Sequence, residues 1–195
     1  MKTYDVIIIG AGPAGTFAAY ELMEKAPSLK VLVLESGRDI YHRSCPIAAG
    51  KVPSCIGCKP CSIMRGFGGA GAFSDGKYNF TTAFGGWLND YISDKEVMAL
   101  IRYVDGINQK HGAPAEVFST KGSDIGRLAL QHDLHLLAAS VRHLGTENNL
   151  KVLEATYEDL KGKAAFRFEC PVEHIASDGK GTNIVTLVSG EHLAA

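Results

Sequence analysis

The alternation of apolar and polar positions opens on a compact β-α-β unit. Tyr4-Asp5-Val6-Ile7-Ile8-Ile9 is an almost continuous apolar run, the pattern of a central parallel strand covered on both faces. Gly10-Ala11-Gly12-Pro13-Ala14-Gly15 follows at once and leads into Thr16–Met23, a strong helical sequence. Pro27 lies just past that helix, and Val31–Leu34 reads as a second strand ending in Glu35. Further on, Ser93–Ile107 predicts an amphipathic helix. Ser93 and Glu96 form its capping box, and Val97, Leu100, Ile101, Val104 and Ile107 form its apolar stripe.

The rest of the pattern is less regular. Asp124–Leu144 predicts a second helix, with Leu128, Leu130, Leu134, Leu137, Val141 and Leu144 largely on one side and Gly145 as its stop. Thr146–Lys163 is polar and reads as a helix edge or loop. Ala165–Cys170 alternates as a strand does, and Pro171–Ile175 continues it. Asp178-Gly179 and Ser189-Gly190 mark turns around a strand at Asn183–Val188, and a third strand begins at Glu191.

The glycines of the first turn have separate mechanical roles. Gly10 lets the strand turn sharply, Gly12 lets backbone approach a pyrophosphate, and Gly15 lets the helix pack close to the strand. Pro13 and Ala14 lie within the turn, and the N-terminus of the helix that follows offers N–H groups and a positive dipole end to phosphates. Glu35 stands twenty residues after Gly15, where a carboxylate accepts hydrogen bonds from ribose hydroxyls. The combination reads as a dinucleotide site. A carboxylate there repels a 2′-phosphate and so disfavours NADP at this position, although Arg38 is close by; NAD and FAD remain.

Composition narrows the setting. With 195 residues, 46% of them hydrophobic, the chain has enough apolar material for one substantial core. A formal net charge of −1 supplies no electrostatic reason to expect nucleic acid or an anionic membrane as partner. No apolar run reaches membrane-spanning length, and Met1-Lys2-Thr3 enters the first strand without a signal peptide. The default compartment is therefore the cytoplasm.

Two stretches carry further candidate chemistry. Cys45, Cys55, Cys58 and Cys61 are spaced C-x9-C-x2-C-x2-C within a segment of little periodicity. Thiolates so spaced can hold a 4Fe-4S cluster or a zinc ion, or form a redox disulfide. The run resembles a ferredoxin loop with its Cys-Pro pair moved to the front. The second stretch is Gly66–Gly76, with five glycines in eleven residues. Such glycines suit backbone that passes close to a ligand, where successive N–H groups form an anion-binding nest. Ser74 and Lys77 add a hydroxyl and a cation there.

Taken together, Gly10–Gly15 with Glu35, Cys45-Pro46-Ile47, the Cys55-x-x-Cys58-x-x-Cys61 run and Gly66-Phe67-Gly68-Gly69-Ala70-Gly71-Ala72-Phe73-Ser74-Asp75-Gly76-Lys77 resemble a family of prokaryotic FAD-dependent dehydrogenases whose substrates are not established. The likeness covers Thr3 to about Ala113, and its most specific part is GFGGAGAFSDGK. It implies an α/β, Rossmann-type FAD-binding domain of the glutathione-reductase-like kind. Residues 1–90 and 164–195 would form the nucleotide-binding core, 91–163 a mostly helical insertion, and the last strands a β-meander. It also implies that Gly69, Ala70, Gly71, Ser74 and Lys77 lie beside the cofactor, that Ser36 flanks the ribose acid, and that Val172 meets the adenine through its backbone. Such a domain needs a last parallel strand and a Gly-Asp turn that are absent before Ala195, so the sequence reads as the N-terminal part of a longer flavoenzyme. The expected function is that of an FAD-dependent oxidoreductase acting on an unknown small molecule or electron acceptor, with NADH or NADPH as a candidate donor. The alternatives are a non-catalytic nucleotide- or metal-binding module and a flavin-dependent thiol/disulfide oxidoreductase.

Overall fold

The computed structural model describes residues 1–179 and 181–195. Its elements begin with β1 (Lys2–Thr3), β2 (Val6–Ile9), α1 (Pro13–Lys25) and β3 (Val31–Leu34). β4 (Lys77–Asn79), α2 (Asp94–Lys110), β5 (Phe118–Ser119), α3 (Ile125–Leu130), β6 (Ser140–His143) and α4 (Thr146–Lys161) follow. β7 (Ala165–Arg167), β8 (Val172–Ser177), β9 (Asn183–Leu187) and β10 (His192–Ala194) come last. They fall into two compact units, Met1–Phe73 with Leu153–Ala195, and Ser74–Val152.

The first unit is built on a parallel sheet in the order β2-β3-β7. Val6 pairs with Val31 and Ile9 with Leu34, while Leu32–Leu34 pair with Ala165–Arg167 on the other side. β3 is the middle strand, and its four residues are at most 3% exposed. Side chains alternate across a strand, so this run needs a cover on each face. On one face Val31 packs with Met23 of α1 and Ala164, joined by Val6, Ile8, Leu22 and Phe166. On the other, Leu32 and Leu34 pack with Val185, Leu187 and Leu193. Each fully buried valine, leucine or methionine among them contributes roughly 1.5–3 kcal/mol relative to exposure. The second cover is a sheet in the order β1-β10-β9-β8, antiparallel except for the β1–β10 pair.

One continuous strand from Ala165 to Ile175 was expected, and the chain divides there into β7 and β8. Glu169 sits at φ +53, its N–H donating to the Gly37 carbonyl, and the Cys170 N–H donates to the Glu35 carbonyl. That pivot takes the chain out of the parallel sheet and into the meander.

The second unit carries an antiparallel sheet in the order β4-β6-β5. α2 begins at the expected capping box, Ser93 Oγ accepting from the Glu96 N–H and Glu96 accepting from the Ser93 N–H. Its central tie is Arg142 of β6, which is 3% exposed and hydrogen-bonds both carboxylate oxygens of Asp105 on α2 at 2.6 and 2.8 Å. The same guanidinium donates to the carbonyls of Pro114 and Glu116.

The predicted helix over Asp124–Leu144 is corrected. Only Ile125–Leu130 is helical, Asp133 turns left-handed at φ +54, and Ser140–His143 is a strand. Leu128, Leu130, Leu134 and Leu137 are 48–62% exposed, so no apolar stripe is buried to hold a long helix together. Thr146–Lys161, read as a helix edge or loop, is a full helix. Asn149, Val152, Thr156 and Leu160 recur on its buried face, a helical spacing hidden in the sequence by two polar members. Among the described residues, no helix is long and apolar enough to cross a membrane.

Candidate nucleotide-binding site

The Gly10–Gly15 turn joins β2 to α1. Gly10 adopts φ +96, a conformation that an L side chain strains to reach. Gly15 fits because it lacks a side chain: a Cβ there would lie 1.9 Å from the Gly10 carbonyl oxygen. Helix α1 is therefore seated directly against the end of β2. Gly12 is the helix N-cap, Pro13 follows it at the first helical turn, and no side chain caps this end. A Cβ built at Gly12 or at Gly10 would meet nothing within 4 Å. Space is thus open in front of an uncapped helix N-terminus, the setting in which backbone N–H groups meet phosphate.

The second glycine stretch lies against this turn. The Gly68 N–H donates to the Ala11 carbonyl at 2.8 Å, and a Cβ at Gly69 would come within 3.3 Å of Gly12 Cα. Gly69–Phe73 forms a short 3-10 helix in which Gly69 is half-buried while Ala70 and Gly71 are exposed. Of the predicted cofactor residues, Gly10–Gly15, Glu35, Ser36, Gly69, Ala70, Gly71 and Val172 belong to the first unit, and Ser74 and Lys77 to the second. Lys77 forms an ion pair with Asp75 at 2.8 Å, and this hydrogen bond holds the Asp75 carboxyl below its ordinary range. Val172 opens β8, pairs with Leu187 and packs in the core beside Leu32 and Leu34.

Glu35 is 6% exposed, and its carboxylate is engaged by the protein. Oε2 accepts the Ala11 N–H at 2.8 Å; Oε1 accepts the N–H groups of Gly37 at 2.7 Å and Gly66 at 3.0 Å, and the Ser36 hydroxyl at 3.2 Å. One side chain therefore ties the end of β3 to both glycine stretches. An ionised carboxylate has about four acceptor positions, two on each oxygen. Oε2, with one N–H partner here, retains acceptor capacity.

Arg43 carried no signal in the sequence, yet it is the hub of the loop. It is 9% exposed and donates to the carbonyls of Ser62, Ile63, Phe67 and Gly69 at 2.6–3.0 Å. Its guanidinium lies 4.8 Å from the centre of the Phe73 ring, a cation–π arrangement. Burial lowers its pKa, opposed by attraction to Glu35 and Cys61. Gly37 is equally constrained, since a Cβ there would lie 2.4 Å from the Gly66 nitrogen.

The four cysteines do not meet the expectation of a cluster. Cys45, Cys58 and Cys61 are half-buried free thiols, and Cys55 is an exposed one. Among the described residues, no three His, Cys, Asp or Glu side chains are grouped to hold a metal ion. Tetrahedral thiolate ligation requires all its sulfurs around one point, and this arrangement does not fit it.

Over all but 1% of its length the chain superposes on part of the 3-ketosteroid-delta4-(5alpha)-dehydrogenase of Rhodococcus jostii RHA1, with TM-score 0.55 and 14% identity, covering 99% of this chain and 44% of that one. The fold is of the Rossmann type. Residues 1–40, which hold the glycine turn and Glu35, match the Thi4 family. An uncharacterised protein of Methanosarcina barkeri (strain Fusaro) is 48% identical over 50 residues, which make up 26% of this chain and 12% of that protein. The chain thus spans about an eighth of the curated relative's length. A steroid monooxygenase solved bound to NADP matches with TM-score 0.45 and 15% identity, over 100% of this chain and 25% of its own.

Proposed function

We propose that this chain forms the FAD-binding part of a flavin-dependent oxidoreductase. The observation that carries the reading is the open space at Gly10 and Gly12 before an uncapped helix, with the second glycine stretch packed against the same turn. In this reading the backbone of Gly12–Gly15 holds the pyrophosphate. The remaining acceptor capacity of Glu35 Oε2 takes an adenosine ribose hydroxyl, and Ser36 and Val172 flank the AMP half. Gly69, Ala70 and Gly71 approach the cofactor through backbone that no side chain obstructs.

When bound, FAD supplies two-electron redox chemistry at its isoalloxazine ring, while the protein supplies position and electrostatics. The donor in this reading is NADH or NADPH, and the substrate or acceptor is a small molecule, as in a dehydrogenase. The Thi4 likeness of residues 1–40 and the Rossmann-type fold support the flavin assignment. The free state of all five cysteines supports a reducing, cytoplasmic setting. Electron flow through a 4Fe-4S cluster forms no part of the proposal.

Calorimetric titration with FAD, ADP and FMN tests this reading. ADP should bind and compete with FAD, because both carry the adenosine diphosphate that the glycine turn and Glu35 recognise. FMN lacks the adenosine and should compete weakly. Tight FMN binding without ADP binding would overturn the assignment.

A further inference from the structure

Every N–H of the Arg43 guanidinium is committed to backbone of the first unit. An arginine side chain carries five donors, and five hydrogen bonds leave this one. Nε and Nη2 donate to the Ser62 carbonyl at 3.0 and 2.8 Å, and Nη2 also donates to that of Ile63 at 2.9 Å. Nη1 donates to the carbonyls of Phe67 and Gly69 at 2.6 and 2.7 Å. The residue is 9% exposed, and its guanidinium stands over the Phe73 ring. A buried arginine beside a glycine turn ordinarily suggests a phosphate ligand. With all five donors taken, Arg43 acts on the backbone instead.

Its bonds fall on the peptide units that lie against the Gly10–Gly15 turn. The Phe67–Gly68 peptide is held from both sides, its oxygen by Arg43 and its N–H by the Ala11 carbonyl at 2.8 Å. Two residues on, Arg43 holds the oxygen of Gly69, the residue whose Cβ would lie 3.3 Å from Gly12 Cα. Gly68 and Gly69 adopt φ +79 and +59, and glycine loses more conformational freedom on ordering than any other residue. Without these bonds the stretch would have to be ordered when a ligand arrives. A loop fixed beforehand relieves binding of that cost.

We propose that Arg43 is a positioning residue for the nucleotide: it fixes Phe67–Gly69 against Gly12 before the pyrophosphate arrives, and does not touch the ligand. The inference rests on the nucleotide-binding reading above and adds to it the residue that prepares the site. Lysine in its place keeps the charge but offers three donors on one nitrogen at the end of a flexible stem. It cannot serve the carbonyls of Ser62 and Ile63 together with those of Phe67 and Gly69, as the planar fork does. The consequence falls on the phosphates. Gly69 lies against Gly12, the pyrophosphate position, whereas the ribose hydroxyl is taken at Glu35 Oε2, which the Ala11 N–H holds.

The test measures two ligands on Arg43→Lys, ADP by calorimetry and adenosine by saturation-transfer NMR. The variant should bind ADP roughly ten-fold more weakly than the parent, about 1.4 kcal/mol, and adenosine with unchanged affinity. A loss of folded protein alone would lower both affinities by one factor, so the ratio of the two separates positioning from stability. An equal loss for both ligands, or no loss for ADP, would overturn the proposal. Should Arg43→Lys not fold, Phe73→Leu decides, because it removes the ring beneath the guanidinium at an exposed position. It should weaken ADP roughly two-fold, the worth of an exposed cation–π contact, with adenosine unchanged; an unmoved ratio would overturn the proposal. A parent protein that binds no ADP would refute the functional reading, and the proposal with it.

Discussion

Replacing Glu35 by alanine separates the role that the sequence assigns to this residue from the one that the structure adds. If Glu35 served the nucleotide alone, Glu35→Ala would weaken binding and leave the free protein as stable as before. In the structure its carboxylate accepts the N–H groups of Ala11, Gly37 and Gly66 within a site 6% exposed. A buried donor left without a partner costs about 1–3 kcal/mol. The three stranded N–H groups therefore give a range of about 3–9 kcal/mol, and water entering the vacated space lowers it. The expected loss is about 3–5 kcal/mol, a large share of the roughly 5–15 kcal/mol by which domains are stable. Equilibrium urea unfolding of the nucleotide-free protein, followed by circular dichroism, measures it as a fall in midpoint at unchanged slope. A loss below about 1 kcal/mol would refute the reasoning, because it would mean that the carboxylate does not hold the two glycine stretches together.

The β-α-β unit was legible because its signals reinforce one another. The apolar run, the glycine spacing and the second strand each predict the same local structure, and Val31–Leu34 is buried on both faces as that run requires. The capping box at Ser93 was legible because it is a local device that needs no distant partner. The segment Asp124–Leu144 was misread because apolar spacing indicates a helix only when something buries the stripe; there the leucines are exposed and the chain turns at Asp133. The reverse error fell on Thr146–Lys161, where Asn149 and Thr156 occupy buried positions and disguise the period. Arg43 was invisible for a different reason. Its partners are backbone carbonyls, which every residue possesses, so no residue type marks them. The cysteine spacing was visible, but spacing specifies separation along the chain and leaves the convergence of the sulfurs to the loop. Glu35 combined both cases: its position was readable, while its donor at Gly66 depended on how a loop thirty-one residues away returns.

Three further expectations follow from particular contacts. Asp105→Asn should destabilise the second unit by about 3–5 kcal/mol, because it leaves the buried Arg142 guanidinium without its counter-charge; thermal unfolding measures this, and an unchanged midpoint would contradict it. Glu191 accepts two hydrogen bonds from Arg167 at 2.9 and 2.6 Å, and these hold its carboxyl below the usual 4.5. A depressed folded-state pKa adds stability above that usual value and loses it as pH falls through the folded one, so Glu191→Gln should flatten the acid side of the stability profile and leave the part above pH 7 without slope change. The last expectation sets Gly12 against Gly15. A Cβ at Gly15 would lie 1.9 Å from a backbone oxygen and 3.2 Å from Ile8 Cγ2, so Gly15→Ala must push α1 off β2. Overpacking of this kind costs 1–3 kcal/mol where side chains can yield, and here the obstacle is backbone, so a loss above about 3 kcal/mol is expected. A side chain at Gly12 enters open space, and valine at an N-cap costs the helix only about 1 kcal/mol. Gly12→Val should therefore fold, with a urea midpoint near that of the parent, and fail to bind ADP in calorimetry. Gly12→Val protein that binds ADP as the parent does would show that the phosphates do not approach this turn, whatever happens to Gly15→Ala.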